Sequence, residues 1–272
     1  MSKPQGQIYN FNMKFSFTFL CLLILSTAHS LQAQLNDAGD EVPSVHHELT
    51  FGTGVHTRGF NYVSIQYGQI HKLQRTLFFN LDLVELKSPR ERRKKFEILS
   101  ATGTGSSTSF IYGKRNNLYA LRLGAGEKIY ISEKKNTTGV ALAFGFSGGV
   151  TFGVLKPYKL DLIYRDLSSS EPSVTVRSET YSEANHDKFL SFADIQGASG
   201  FAEGWDDIDV VPGLFVKATL LLDWRAFNQF AQSIELGLSA DVYSRKMPIM
   251  IGAINSPVFI NLYANINLGK RW

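Results

Sequence analysis

The sequence predicts an all-β protein built as a single antiparallel transmembrane β-barrel of about eight strands, with long extracellular loops and a hairpin inside one of them. Three observations predict it. Apolar and polar residues alternate with the period of two that a strand imposes, over stretches matching the roughly 9–11 residues a tilted strand needs to cross a bilayer. Connections between these stretches alternate between short turns and long loops, the asymmetry of outer-membrane barrels. The polar stripes are rich in charge, whereas a soluble barrel with the same pattern would leave uniform apolar stripes in water.

Composition sets the outer bounds. The chain has 272 residues with 28 basic and 24 acidic side chains, a formal charge of +4. Two of the lysines, Lys3 and Lys14, fall in residues 1–33, which leaves +2 for the remainder, a balance that does not point to nucleic acid. A chain with 19% charged and 44% hydrophobic residues is not disordered. No continuous apolar run reaches the ~18 residues of a spanning helix.

The elements follow in chain order. Met13-Lys14, the apolar Phe15–Leu25 run and Leu31-Gln32-Ala33 read as a secretory signal peptide cut after Ala33, with residues 1–12 as an upstream extension. A buried helix or membrane anchor is the alternative for this segment. Cys21, the only cysteine, lies in this leader, and Phe19-Leu20 before it lack the small residues of a lipoprotein cut. The mature chain then has no thiol, which excludes disulfides and thiolate chemistry. Residues 34–45 form a short periplasmic segment, and the barrel occupies 46–272.

Within it, strands are predicted at about 47–57, 60–70, 75–86, 117–131, 140–154, 213–225, 233–242 and 258–269. In the last, Val258, Ile260, Leu262, Ala264, Ile266 and Leu268 share one face. Gln69, Glu85 and Glu127 fall on nominally apolar faces and are assigned to the membrane edge or to a bulge. The short turns are His71–Gln74, Glu133–Thr138 and Ala226–Phe230, and the long connections are 87–116, 155–210 and 246–257. An even strand number then puts both ends on the short-turn, periplasmic side. Tyr119, Trp224 and Trp272 end apolar stripes, as aromatic girdles do.

Three segments carry a resemblance: Tyr119–Asp161 (YALRLGAGEKIYISEKKNTTGVALAFGFSGGVTFGVLKPYKLD), Ala193–Ala218 (ADIQGASGFAEGWDDIDVVPGLFVKA) and Tyr243–Trp272 (YSRKMPIMIGAINSPVFINLYANINLGKRW). Together they resemble a family of outer-membrane β-barrel proteins, without an assigned activity, of Bacteroidetes-type bacteria. The resemblance implies an outer-membrane location and a small barrel. It implies no activity and no functional residues, and the terminal Trp272 stands where phenylalanine is more usual.

The candidate residues fall into two groups. Inward stripes place Asp82, Arg122, Lys128, Lys217, Asp223, Arg225, Glu235, Asp241 and Arg245 in the lumen. An eight-strand interior is just wide enough for side chains, so these charges are expected to pair as a plug. The small residues Gly145, Ser147, Gly149, Thr151 and Gly153 leave space for the longer arginines opposite.

The second group lies on the loops. Residues 87–116 carry a balance of +6 and include the run Arg90, Arg92, Arg93, Lys94 and Lys95, whereas residues 155–210 carry −6. The two loops are expected to lie together and neutralise, or the basic run meets lipopolysaccharide phosphates or an acidic partner. Tyr158–Tyr164 and Ser173–Arg177 read as a loop hairpin, and Phe192, Phe201 and Trp205 as partner anchors or caps of the barrel mouth.

No metal or cofactor is called for. Asp206-Asp207-Ile208-Asp209 lacks the spacing of a calcium loop, and the scattered histidines lack ligand spacing. The expectation is therefore a non-enzymatic outer-membrane barrel whose loops bind a surface partner, as a subunit of an outer-membrane protein complex. A stand-alone structural or adhesion barrel that interacts with lipopolysaccharide is the alternative. A lipid-modifying enzyme is the remote one, because the lipid-facing stripes carry no serine–histidine pair.

Overall fold

The computed structural model describes residues 46–72, 74–94, 97–98, 105–106, 109–131, 140–166, 173–224, 229–252 and 255–272. The leader with Cys21, the segment 34–45, Lys95 and Arg225 lie outside the described residues.

Eight long strands carry the architecture: β1 His47–His56, β2 Gly59–Lys72, β3 Arg75–Leu86, β4 Asn116–Tyr130, β5 Ala141–Pro157, β6 Asp209–Asp223, β7 Phe230–Tyr243 and β8 Val258–Arg271. Each pairs antiparallel with its neighbours in sequence, and β8 returns to β1, with Glu48 opposite Arg271 and His56 opposite Tyr263. Closure satisfies both edges that an open sheet would expose. The last link is a hydrogen bond from the Trp272 amide to the His47 carbonyl at 3.0 Å.

Alternation sorts the side chains as predicted. In β3, Thr76, Phe78, Asn80, Asp82, Val84 and Leu86 are buried in the lumen, while Leu77, Phe79, Leu81 and Leu83 stand exposed outside. In β8, Ile260, Leu262, Ile266 and Leu268 face outward, and Asn261, Tyr263, Asn265 and Asn267 face inward. The eleven-residue stretch Val258–Leu268, at a rise of ~3.3 Å per residue and a tilt of ~40°, makes an apolar band about 25 Å tall. The misfit carboxylates sit at its rims. Glu127 pairs with Arg75 at 3.3 Å near the short-turn end. Glu85 accepts from Asn61 Nδ2 at 2.8 Å and meets Lys87 Nζ at 3.3 Å near the long-loop end.

The strands overhang this band at the long-loop end, where β5 and β6 pair as far as Leu155 opposite Asp209. Beyond them the loops fold into a head with its own core. Strand Lys159–Asp166 pairs with Ser173–Thr180 on one side, the predicted hairpin, and with Ile195–Ala198 on the other. Phe110, Leu160, Leu162, Phe189 and Ile195 are fully or almost fully buried together beneath this sheet. Phe110 comes from the 87–115 connection, so two long loops share one core.

The 244–257 connection takes a different course. Met247, Ile249 and Met250 turn into the barrel mouth and pack on Tyr62, Leu86, Leu118, Leu155 and Phe259. Gly153 makes room for them: a Cβ at this position would stand 2.6 Å from Met247 Cε and 2.7 Å from the Tyr243 ring. The space along the small-residue wall is thus filled at its top by this apolar plug and not by arginines.

Candidate functional site

The lumen is held by ion pairs that cross it. Arg122 on β4 makes a bidentate contact with Asp241 on β7, at 2.7 and 2.6 Å, with both side chains fully buried. Lys217 on β6 reaches Asp82 on β3 at 2.9 Å and the Tyr62 hydroxyl at 2.7 Å. Lys128 on β4 meets Glu48 on β1 at 3.0 Å. Each pair joins strands three positions apart around an eight-strand ring, so each is a cross-barrel tether. Gln66 Nε2 donates across the lumen to Glu235 at 3.1 Å, and Arg271 binds both Glu48 and Asp223 at 2.6 Å. Several inward amides, among them Asn80, Asn261, Asn265 and Asn267, have no protein partner, and such groups are positions for water.

Of the nine residues assigned to the lumen, Asp82, Arg122, Lys128, Lys217, Asp223, Glu235 and Asp241 are buried there. Arg225 lies outside the described residues. Arg245 is a correction: β7 ends at Tyr243, so the alternation that would aim it inward has stopped. Its guanidinium, half exposed, pairs instead with Asp209 at the long-loop end. Glu48 and Arg271 were missed, although Glu48 lies within the predicted first strand and one further step of period two along β8 reaches Arg271.

Among the described residues no ion pair joins 87–116 to 155–210. Aromatic contacts join them instead. Lys94 Nζ stands over the rings of Phe192 and Tyr112, at 4.6 and 5.4 Å, and Arg115 over Tyr181 at 5.5 Å. The Tyr158 hydroxyl accepts from the Ile111 amide at 3.0 Å, and burial pushes that phenol above its ordinary pKa, so it stays neutral. The basic run is accordingly divided: Arg90 and Arg92 are exposed, Lys94 docks on aromatics, and Arg93 turns toward a cleft.

That cleft, about 580 Å³, lies on the outer wall of the barrel and not in its mouth. Its floor is a row of outward-facing residues at one height: Asn61 on β2, Glu85 on β3, Asn117 and Tyr119 on β4, and Lys156 on β5. The register places Glu85 opposite Tyr119 and Asn117 opposite Lys156. Loop residues overhang the row, with Glu91, Arg93 and Lys114 on one side and Lys159, Phe201 and Glu203 on the other.

Phe201 and Trp205 lie on this wall and not over the barrel mouth. Gly204, at φ +85, turns the chain back over Pro157 in a conformation that favours glycine. Trp205 then stacks on Tyr119 at 6.1 Å and against Phe201 at 5.9 Å. Lys156 Nζ lies beneath both, 4.5 Å from the Phe201 ring and 5.1 Å from Trp205, donating to the Phe201 carbonyl. At the opposite rim His47, Tyr67 and Trp272 cluster, with the Tyr67 hydroxyl 3.0 Å from His47 Nδ1. Aromatic residues therefore border the apolar band at both ends.

No family model matches the chain, and no curated protein matches it. Among solved structures it is similar to the N-terminal β-barrel domain of Pseudomonas aeruginosa OprF, at 8% identity and a TM-score of 0.33, covering 85% of this chain and 100% of that one. It is likewise similar to Neisserial surface protein A (NspA), at 10% identity and a TM-score of 0.33 over the same shares of the two chains. The eight-strand assignment rests on the strand pairing of this chain itself.

Proposed function

We propose that this protein is a non-enzymatic integral outer-membrane barrel with a sealed lumen, whose extracellular head is a contact surface for a partner at the cell surface. One observation carries the membrane placement: a closed barrel whose outward stripes are apolar and exposed, while its charges are buried inside in pairs. The cross-barrel tethers and the Met247–Met250 plug support a lumen that does not conduct. The head supports the contact reading because it is ordered by its own core yet exposes Val174, Val176 and Phe192. Val174 and Val176 lie on Ser173–Thr180, one of the two edge strands of the head sheet, where an added strand could pair.

At the long-loop end of β1, the Nδ1 of His56 accepts from the Arg58 amide at 3.2 Å. The test is purification from outer membranes in mild detergent, comparing the wild type with the double substitution Val174→Ser, Val176→Ser. A stoichiometric partner that is lost from the variant, with the barrel still heat-modifiable on a gel, is the expected result. A partner retained by the variant overturns the edge strand as the contact, and absence from the outer-membrane fraction overturns the placement.

A further inference from the structure

The lateral cleft is lined by both paired and unpaired charges. Two of its cations are already engaged, Lys87 with Glu85 at 3.3 Å and Lys114 with Glu91 at 2.8 Å. Among the described residues Arg93, Lys156 and Lys159 have no carboxylate within ion-pair distance, and Glu203 is the one lining carboxylate without a cation at that distance. The uncommitted charges therefore sum to +2. Lys156 is the most telling of the three. It is 3% exposed, held under two aromatic rings and bonded to a carbonyl, with the Glu203 carboxylate as its charged neighbour but not within ion-pair distance.

Position specifies the anion further. Immediately below the polar floor the same strands turn apolar: Val63 follows Asn61, Leu83 precedes Glu85, and Leu123 lies below Tyr119, all exposed on the outer wall. Tyr119, Trp205 and Phe201 stand at the junction, where amphipathic rings settle at a membrane–water interface. A ligand seated here would have its charge among Arg93, Lys156 and Lys159 and its hydrocarbon along the strands beneath. A soluble anion would use the first feature only.

We propose that this cleft binds the phosphorylated headgroup of an outer-leaflet lipid, held by Arg93, Lys156 and Lys159, with its acyl chains on the wall below Asn61 and Glu85. The assignment rests on the outer-membrane reading given above. Arginine and lysine donate charge-assisted hydrogen bonds to phosphate oxygens, and the guanidinium can do so through two parallel N–H groups.

The experiment uses the full mature chain, folded and confirmed as heat-modifiable, with binding read by native mass spectrometry as lipid is titrated. The probes are bisphosphorylated lipid A, phosphatidylcholine, and inorganic phosphate as competitor. The expected result is binding of lipid A over phosphatidylcholine, weakened about 10-fold or more by Arg93→Ser with Lys159→Ser, and unaffected by Arg90→Ser with Arg92→Ser. Both altered pairs sit on the loops, and Lys156→Met, which keeps the stem under the rings, gives an independent weakening. Equal binding of the two lipids, or wild-type affinity in the Arg93/Lys159 variant, overturns the proposal. Inorganic phosphate that displaces lipid A at comparable concentration overturns the lipid assignment and leaves a plain anion site. A chain that never becomes heat-modifiable or enters a bilayer fails the membrane reading itself, a result distinct from the others and fatal to both.

Discussion

The lumen and the lateral cleft use the same residue types to opposite ends. In the lumen every described cation meets a carboxylate: Arg122 with Asp241, Lys217 with Asp82, Lys128 with Glu48, and Arg271 with Glu48 and Asp223. In the cleft, Arg93, Lys156 and Lys159 make no ion pair among the described residues. The difference follows from geometry. Inside a narrow barrel a charge cannot reach bulk water, so it must be matched by a strand opposite, and the match becomes a tether. On the outer wall above the apolar band, Arg93 and Lys159 can wait for a ligand at little cost, because water reaches the open side, and only Lys156 is buried.

Breaking a tether gives the largest effect. Asp241→Ala leaves the Arg122 guanidinium buried and unpaired, and is expected to cost about 3–5 kcal/mol of stability. Urea unfolding in lipid vesicles measures it, and replacing Arg122 as well, by methionine, should restore part of the loss. A smaller loss is expected from the plug. Met247→Ala empties a fully buried site against Gly153 and Tyr243 and should cost about 2–3 kcal/mol in the same titration. The cleft gives the smallest effect, since Arg93→Ser with Lys159→Ser removes no ion pair and should change stability by less than about 0.5 kcal/mol. A large loss in that variant would make the cleft a structural element and erase the contrast with the lumen.

Much of this was legible in the chain because a strand repeats every two residues. The inward set from Asp82 to Asp241 and the apolar stripe from Val258 to Leu268 follow from that period alone. Where the period stops, inference from it fails, as Arg245 shows two residues beyond the end of β7. The plug was illegible for a related reason. Met247, Ile249 and Met250 belong to no strand, and nothing local says that their connection turns into the barrel instead of away from it. The cleft was half legible. Arg93 stood out within a basic run, and Trp205 and Phe201 as loop aromatics. Lys156 did not, because its importance depends on the fold bringing residues 201–205 back over the outer face of β5. The opposite net charges of the two long loops suggested mutual pairing, yet Lys94 and Arg115 reach across to rings, which carry no formal charge for a count to find.

The contrast itself is tested most directly by ligand-linked stability. Urea unfolding is measured in phosphatidylcholine vesicles with and without bisphosphorylated lipid A, for the wild type, for Met247→Ala and for Arg93→Ser with Lys159→Ser. A ligand at 100 times its dissociation constant stabilises by about 2.7 kcal/mol. The wild type and Met247→Ala should gain the same increment, and the cleft variant should gain little or none. An equal gain in the cleft variant, or a gain lost only when the plug is altered, would contradict the account.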